Sequence, residues 1–140
     1  MAETDKFARA VQTVYRGLGR LSRERARGAD VTPQQAETLQ LIAERGALST
    51  SALAVLLGID SSTASRNLSS LERAGFITRK KGTDDGRQTD VRLTPRGKRA
   101  AEQAQTKATT AYSALVEKLP RADRAKVLEA LDVLAKALET

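Results

Sequence analysis

The residues best suited to chemistry in this sequence are hydroxyl and guanidinium groups between Asp60 and Arg73. On a helix of about 100° per residue, Ala64, Leu68 and Leu71 share one side. Short hydroxyl side chains let a helix backbone approach another surface closely, and an arginine fork matches a phosphate or the edge of guanine. This helix is therefore a candidate for contact with nucleic acid. Its polar front carries Ser62, Arg66, Ser69 and Arg73, flanked by Thr63, Ser65 and Ser70.

A hairpin is predicted after this helix. Gly75 is suited to ending the helix, because glycine readily takes the left-handed conformation. Residues 76–81 and 89–94 alternate between apolar and polar side chains, as strands do. Residues 82–88 are rich in turn formers and connect the two strands. The hairpin therefore has a basic, flexible tip.

Three helices are predicted before Asp60. The first is amphipathic and runs from roughly Asp5 to Arg27. Gly17 and Gly19 lie inside it and either permit close backbone packing or weaken the helix. Residues 28–30 form a linker. The apolar stripe of this first helix is Phe7, Val11, Val14, Leu18 and Leu21.

The second and third helices carry recognisable start and stop signals. Thr32 and Gln35 form a capping box around Pro33, and the second helix is expected to end near Gly46. Ser49 is expected to cap the third helix, which stops at Gly58, and Asp60 or Ser61 caps the fourth. The third and fourth helices then form a helix-turn-helix pair in which the third is a support. The predicted buried stripes are Ala36, Leu39, Ile42 and Ala43 in the second helix, and Leu53, Leu56 and Leu57 in the third.

Two further helices follow the hairpin. Thr94 and Pro95 serve as N-cap and first residue of a helix that ends near Lys118. A sixth helix begins at Pro120. Both carry apolar stripes, namely Ala101, Ala104, Ala108, Ala111, Leu115 and Leu119 in the fifth, and Val127, Leu131, Leu134 and Leu138 in the sixth.

Composition narrows the possible functions. The 140 residues suffice for one domain with its own core, and residues 66–99 carry a net charge of +6 out of +7 for the chain. Cysteine and histidine are absent, which excludes disulfides, thiol redox sensing and the usual zinc ligand sets, so no metal or cofactor is predicted. The sequence also lacks a signal-peptide core and a membrane span of about 18 apolar residues, which predicts a cytoplasmic protein with no membrane partner.

The order of elements and four sequence runs resemble the MarR family of bacterial transcription regulators. The resemblance in order and length extends over nearly the whole chain. The runs are S-T-A-S-R at 62–66, L-E-R-A-G-F-I at 71–77, D-x-R at Asp85 and Arg87, and V-R-L-T-x-x-G at 91–97.

This resemblance implies a mostly α fold with a small β wing, a winged helix-turn-helix with N- and C-terminal dimerisation helices. Residues 1–140 would be a single domain, with residues 31–97 as the DNA-binding region and residues 1–30 and 98–140 as dimerisation helices. In a homodimer, the fourth helix of each subunit would enter a major groove, and the two successive grooves would lie about 10–10.5 bp apart on a pseudo-palindromic operator. The alternative is that the terminal helices pack only within the monomer.

The candidate DNA-binding residues divide by position. Arg66 would contact either guanine bidentately or only a phosphate. Asn67 lies nearer the apolar side of the helix and is not expected to read a base. Residues expected near base edges are Ser62, Thr63, Ser65 and Arg66, and those expected at phosphates are Ser69, Ser70, Arg73, Lys80 and Lys81.

The resemblance assigns two further roles at the tip of the wing. It places Arg87 in the minor groove and makes Asp85 the carboxylate that stabilises the wing through a salt bridge. The alternative for Asp85 is a plain turn residue.

The sequence therefore predicts a transcription regulator, expected to be a repressor, that binds double-stranded DNA. The competing hypotheses are a winged helix that binds another protein without specific DNA affinity, and a small enzyme relying on paired carboxylates. No recognisable constellation of carboxylates supports the enzyme. Similar regulators often bind small aromatic acids or other lipophiles, so a small-molecule effector stays open, with Tyr15 or Tyr112 in a pocket wall or in the core.

Overall fold

A computed structural model describes residues 2–26, 31–81 and 89–139. The predicted linker at residues 28–30 and the hairpin turn at 82–88 lie outside these ranges. The chain divides into two compact units, Met1–Ala108 and Thr109–Thr140. Within the described ranges the elements are, in chain order, α1 (Glu3–Ala26), α2 (Pro33–Arg45), β1 (Leu48–Ser49), α3 (Thr50–Leu57), α4 (Ser61–Arg73), β2 (Ile77–Lys81), β3 (Thr89–Leu93), α5 (Pro95–Lys118) and α6 (Arg121–Leu138).

The three strands form one antiparallel sheet in the order β1-β3-β2. Ile77 pairs with Leu93, and Arg79 pairs with Val91, which also faces Leu48 of β1. The hairpin of β2 and β3 was predicted. The two-residue strand β1 was not, because so short a segment shows no alternation of side chains.

Local sequence signals set the predicted helix boundaries. The Thr32 hydroxyl accepts a hydrogen bond from the Gln35 amide at 3.1 Å, and the Gln35 side chain accepts one from the Thr32 amide at 2.9 Å. This confirms the capping box of α2. Ser49 likewise accepts from the Ala52 amide at 3.0 Å and starts α3, and Gly58 ends α3 in the left-handed conformation at φ 68°.

The hydrophobic core of the first unit forms where α2, α3 and α4 pack with the sheet. The apolar side of α4 is fully enclosed, since Ala64 and Leu68 are 1% exposed and Leu71 is 0% exposed. This confirms the predicted orientation of α4, with its polar front away from the core. The core cluster consists of Leu39, Ile42, Leu53, Leu68, Leu71, Phe76, Ile77, Val91 and Ala101.

Two predicted core residues are exposed. Ala43 lies in the last turn of α2, whose buried side is rotated toward Thr38, so Ala43 falls at the edge of that side. Leu56 is 40% exposed because α3 turns Leu53 and the small Ala54 inward. In both helices a small or polar side chain sits inward, which a stripe of large apolar residues does not indicate.

Hydrogen bonds and a close backbone approach connect the end of α4, the start of β2 and the start of α5. The Thr94 hydroxyl donates to the Gly75 carbonyl oxygen at 2.6 Å and accepts from the Gly97 amide at 3.0 Å, which confirms Thr94 as the cap of α5. Gly75 has φ 83°, a left-handed conformation that favours glycine. Gly97 lies so close to β2 that a Cβ atom there would be 1.9 Å from the Phe76 carbonyl oxygen.

Helix α1 carries an apolar stripe that is exposed in the single chain. The exposed fractions of Phe7, Val11, Val14 and Leu18 are 57%, 37%, 51% and 36%. In the second unit, α6 contains no fully buried residue, and Leu131 and Leu138 are 50% and 77% exposed. Leu21, Val127 and Leu134 are half-buried, so each stripe is covered only in part within one chain.

We predict that Gly97→Ala destabilises the fold by at least about 1–3 kcal/mol, the usual cost of overpacking, because the added methyl group would meet backbone. Gly17→Ala is the matched control, because a Cβ there comes no closer than 3.7 Å, to the tip of Arg20. Since alanine favours helix by about 1 kcal/mol over glycine, the control should be neutral or stabilising. Urea unfolding of both variants measures the difference, and equal stabilities would contradict the close approach at Gly97.

Candidate nucleic-acid interface

The amino-terminal turn of α4 is organised by Asp60. Its carboxylate accepts hydrogen bonds from the Thr63 amide at 2.7 Å and from the Ser62 hydroxyl at 3.0 Å. The pKa of Asp60 is lowered from its usual 3.8, first by the Thr63 amide, then by hydrogen bonding from the Thr63 and Ser62 hydroxyls, with a smaller contribution from the charge of Arg66. Asp60 is therefore ionised at neutral pH and caps the helix as an anion.

The first half of α4 presents an exposed front of hydroxyls and one guanidinium group. Ser62 and Arg66 are exposed, while Thr63 and Ser65 are half-buried at its flank. Arg66 donates from Nη2 to the Thr63 hydroxyl at 3.3 Å, so the guanidinium lies along the helix surface. The structure thus brings together the four residues predicted to lie near base edges.

The second half of α4 differs from the sequence-based description. Ser69 and Ser70 are half-buried. The Ser69 hydroxyl accepts from Nη2 of Arg79 at 3.0 Å, and the Ser70 hydroxyl accepts a long hydrogen bond of 3.5 Å from the Gln35 side chain. Both hydroxyls are therefore engaged within the chain, and of the residues predicted at phosphates on this helix only Arg73 is exposed.

A polar contact near the apolar side of α4 connects this helix to α2. Nδ2 of Asn67 donates to the Thr38 hydroxyl at 3.2 Å, and that hydroxyl donates to the Gln34 carbonyl oxygen at 2.8 Å. Thr38 is 0% exposed, so its hydroxyl depends on these two partners. Asn67 is turned toward the interior, in agreement with its predicted position near the apolar side of the helix.

The wing supplies further positive charge. Lys80 and Lys81 are exposed at the end of β2, where they pair with Asp90 and Thr89 of β3. Asp85 and Arg87, which the family resemblance places at the wing tip, lie outside the described residues.

Arg79 is the residue at this interface that sequence reasoning missed. Its Nε and Nη2 atoms donate to Oε1 of Glu72 at 3.3 Å and 3.1 Å, in addition to the bond to Ser69. Strand alternation offers a signal for it: Ile77 is buried, so Arg79 must lie on the same face of β2 as that core residue. Because Arg79 is the first of three consecutive basic residues, the sequence does not distinguish its contacts with α4 from the exposure of Lys80 and Lys81.

An open groove of about 830 Å³ lies in the first unit between α2, β3 and the first half of α5. Its lining includes the apolar side chains of Ile42, Leu93 and Ala101, and the Gln40 side chain donates to Oε1 of Gln105 at 2.8 Å. This volume lies within the range of about 300–1,000 Å³ that is usual for small-molecule pockets. Among the described residues no group of acidic, histidine or cysteine side chains could hold a metal ion, and no described helix is long and apolar enough to cross a membrane.

Known proteins are similar to this chain in sequence and in fold. The model of the MarR family matches residues 31–89. The HTH-type transcriptional regulator FarR of Neisseria gonorrhoeae is 32% identical over 108 residues, which are 77% of this chain and 72% of FarR. YfiV of Bacillus subtilis, an uncharacterized HTH-type transcriptional regulator, is 29% identical over 110 residues, which are 79% of this chain and 69% of YfiV.

Solved structures of related proteins have a similar fold. A mutant MarR from E. coli complexed with operator DNA is 26% identical, with a TM-score of 0.81 and coverage of 97% of this chain and 96% of that one. A MarR transcriptional regulator from Methanosarcina mazei shares the fold, with a TM-score of 0.83 at 19% identity and coverage of 95% and 96%. The chain belongs to the MarR family and is a DNA-binding transcription regulator with a winged helix-turn-helix.

We predict that Asp60→Asn lowers the stability of the protein at neutral pH but not in acid. Asparagine keeps the capping oxygen and loses only the charge. Because the folded-state pKa of Asp60 is lowered, the stability from its charge is present above 3.8 and is lost as the pH falls through the lowered value. Urea unfolding of both proteins from neutral pH to well below 3.8 measures the difference.

Asp60→Ala is the comparison for this experiment, because it removes the oxygen as well and should destabilise the protein in acid too. If Asp60→Asn costs as much stability in acid as at neutral pH, the effect does not come from the charge.

Proposed function

We propose that the chain acts as a homodimeric repressor on a pseudo-palindromic operator in double-stranded DNA. Helix α4 of each subunit enters a major groove, and the wing of β2 and β3 follows the adjoining backbone toward the minor groove. Residues 31–97 form the DNA-binding region, and residues 1–30 and 98–140 provide the dimerisation helices. The complex of the related E. coli MarR mutant with operator DNA supports this assignment.

One observation carries the proposal. The exposed front of α4 lies at the start of the segment that holds nearly all of the excess charge, a net +6 in residues 66–99, most of it in β2 and the start of α5. The opposite side of the same helix is enclosed in the core, so the helix presents its hydroxyls, its arginines and Glu72 outward. A localised basic surface built around an exposed helix is typical of a nucleic-acid interface.

We assign roles along α4 from its amino terminus. Ser62, Thr63 and Ser65 lie where short side chains let the backbone approach base edges. Arg66 reads guanine through a bidentate contact, for which it has donors beyond the one bonded to Thr63. Arg73 neutralises a phosphate. The contacts of Ser69 and Ser70 within the chain make them supports of the helix, with phosphate contact secondary.

We assign the wing to backbone and minor-groove contact. Lys80 and Lys81 are exposed and suited to neutralising phosphates. The family resemblance supports Arg87 as the residue that enters the minor groove, with Asp85 stabilising the wing beside it.

The location, the absence of a catalytic role and the possible effector are proposed from this class of regulator. Since the protein acts on the chromosome, we propose a cytoplasmic location and no catalytic role. The groove between α2, β3 and α5 is large enough for a small-molecule effector. A winged helix that binds only proteins is the competing function, and it predicts DNA affinity that changes little with salt.

We predict different outcomes for Arg66→Ala and Arg87→Ala. Loss of a major-groove contact from Arg66 should cost about 1–3 kcal/mol on the operator and relax the preference at one base pair per half-site. Loss of a minor-groove contact from Arg87 should weaken operator and non-specific DNA more evenly. It should also reduce the slope of log K against log salt by roughly 1 per subunit.

Titrations across single-base operator variants at two salt concentrations measure both effects. The operator itself comes from selection of bound genomic fragments by the purified protein. If Arg87→Ala relaxes a core base pair while Arg66→Ala acts uniformly, the assignment of the two elements to the two grooves is wrong. A wild-type affinity unchanged by salt would favour the protein-binding function.

We predict that Val14→Glu produces a monomer that loses operator affinity. Val14 lies in the exposed apolar stripe of α1, and a buried charge without a partner strongly disfavours an interface. Gln12→Glu adds the same charge on the opposite side of α1 and should stay dimeric. Sedimentation velocity at micromolar concentration measures both variants, and a monomeric wild-type protein would contradict the homodimer.

A further inference from the structure

Arg79 occupies an unusual position between the two elements that bind DNA. It belongs to β2 of the wing, yet its guanidinium group reaches α4 and donates to both Glu72 and Ser69. The side chain is only 23% exposed, in contrast to its exposed neighbours Lys80 and Lys81. Most of the donor capacity of Arg79 is thus turned toward the protein.

The charge of Arg79 is also neutralised within the chain. Nη2 lies 3.1 Å from Oε1 of Glu72, and the Ser69 hydroxyl accepts from the same nitrogen at 3.0 Å. A phosphate contact through Nε or Nη2 would require these atoms to leave their partners. The hydrogen-bond geometry therefore favours a structural use of this arginine over direct contact with DNA.

An exposed ion pair in the same wing provides a comparison. Arg92 and Asp90 are 3.9 Å apart, with side chains 65% and 46% exposed. Such a pair contributes about 0–1 kcal/mol and restrains the backbone little. The Arg79 contacts are shorter and better shielded, and they connect two different elements, so they restrain the angle between helix and strand.

The angle between α4 and the wing affects how the protein recognises an operator. Helix α4 and the wing must fit the DNA at the same time, and only α4 carries side chains placed to read base edges. A guanidinium fork that contacts a carboxylate and a hydroxyl together holds a more defined geometry than a lysine ammonium group. Ion pairs of this kind can select one arrangement even where they add little stability.

We propose that Arg79, held by Glu72 and Ser69, is a positioning residue that sets the recognition helix against the wing and thereby raises operator specificity without touching DNA. This inference rests on the proposed function. It assigns to Glu72, an acidic residue on a DNA-binding helix, the task of orienting Arg79.

The test compares Arg79→Met with Lys80→Met, which removes the same charge from the next residue of β2. Affinities are measured for the selected operator and for random DNA over a series of salt concentrations. Arg79→Met should lower the ratio of operator to random-DNA affinity by roughly five- to tenfold, the scale of one typical hydrogen bond, and leave the salt slope unchanged. Lys80→Met should weaken both DNAs alike and reduce the slope by about 0.9 per subunit.

Three further variants guard against a folding defect. Glu72→Gln should lower the affinity ratio as Arg79→Met does, while Asp90→Asn, with the same change of charge in the exposed pair, should leave the ratio unchanged. Arg79→Lys keeps the charge without the fork and should recover only part of the ratio. Thermal unfolding confirms that each variant is folded at the assay temperature.

The outcomes separate the alternatives. If Arg79→Met behaves like Lys80→Met, Arg79 is a phosphate contact and the inference is wrong. An unchanged affinity ratio with a lowered melting temperature shows a stabilising role only, and also overturns it. If the wild-type protein fails to distinguish operator from random DNA, it is the proposed function that fails, independently of Arg79.

Discussion

The enclosed apolar side of α4 is the constraint on which the rest of the molecule depends. Leu68 and Leu71 are almost completely removed from water, and each such side chain contributes about 1.5–3 kcal/mol through burial. Rotating α4 would expose these leucines, so the orientation of its polar front is determined by the core. The chemistry of the interface is thus a consequence of hydrophobic packing on the reverse side of the same helix.

Burial alone does not determine where α4 sits along its own axis or relative to the wing. Polar contacts on its flanks supply that information, from Asn67 to Thr38 of α2 and from Arg79 of β2 to Ser69 and Glu72. These contacts are directional, whereas hydrophobic burial is not. The helix is therefore oriented by its leucines and placed by hydrogen bonds to the two neighbouring elements. The close approach of Gly97 to Phe76 adds a third restraint, since it brings the start of α5 against the start of β2.

The distribution of polar and apolar surface separates two tasks. The winged helix-turn-helix has its own core and an exposed basic front, while α1 and α6 carry apolar side chains that one chain leaves exposed. Large apolar side chains left exposed in this way favour association through the terminal helices. Dimerisation would place two equivalent basic fronts under one two-fold axis, which matches the symmetry of a pseudo-palindromic operator.

The sequence by itself determined the features that depend on local chemistry. Helix limits followed from Thr32, Ser49 and Gly58, whose capping roles involve atoms only a few residues away. The inward side of α4 followed from the spacing of its leucines, and the basic character of the module followed from composition. The motif runs sufficed for the family, since they combine residues that one fold requires together.

Only the tertiary structure decided which polar side chains of the interface are available. The helical pattern predicts the same phosphate contacts for Ser69, Ser70 and Arg73. In the structure, Arg79 and Gln35 donate to the two serines, and Arg73 stays exposed. Likewise, R-K-K reads as three equivalent cations, although strand geometry turns the first toward α4. The exposure of Ala43 and Leu56 also came from the fold, because small rotations of α2 and α3 decide which side of each stripe meets the core. Partners separated by many residues along the chain, such as Gln35 and Ser70, meet only when the core has formed, so no local pattern encodes their contact.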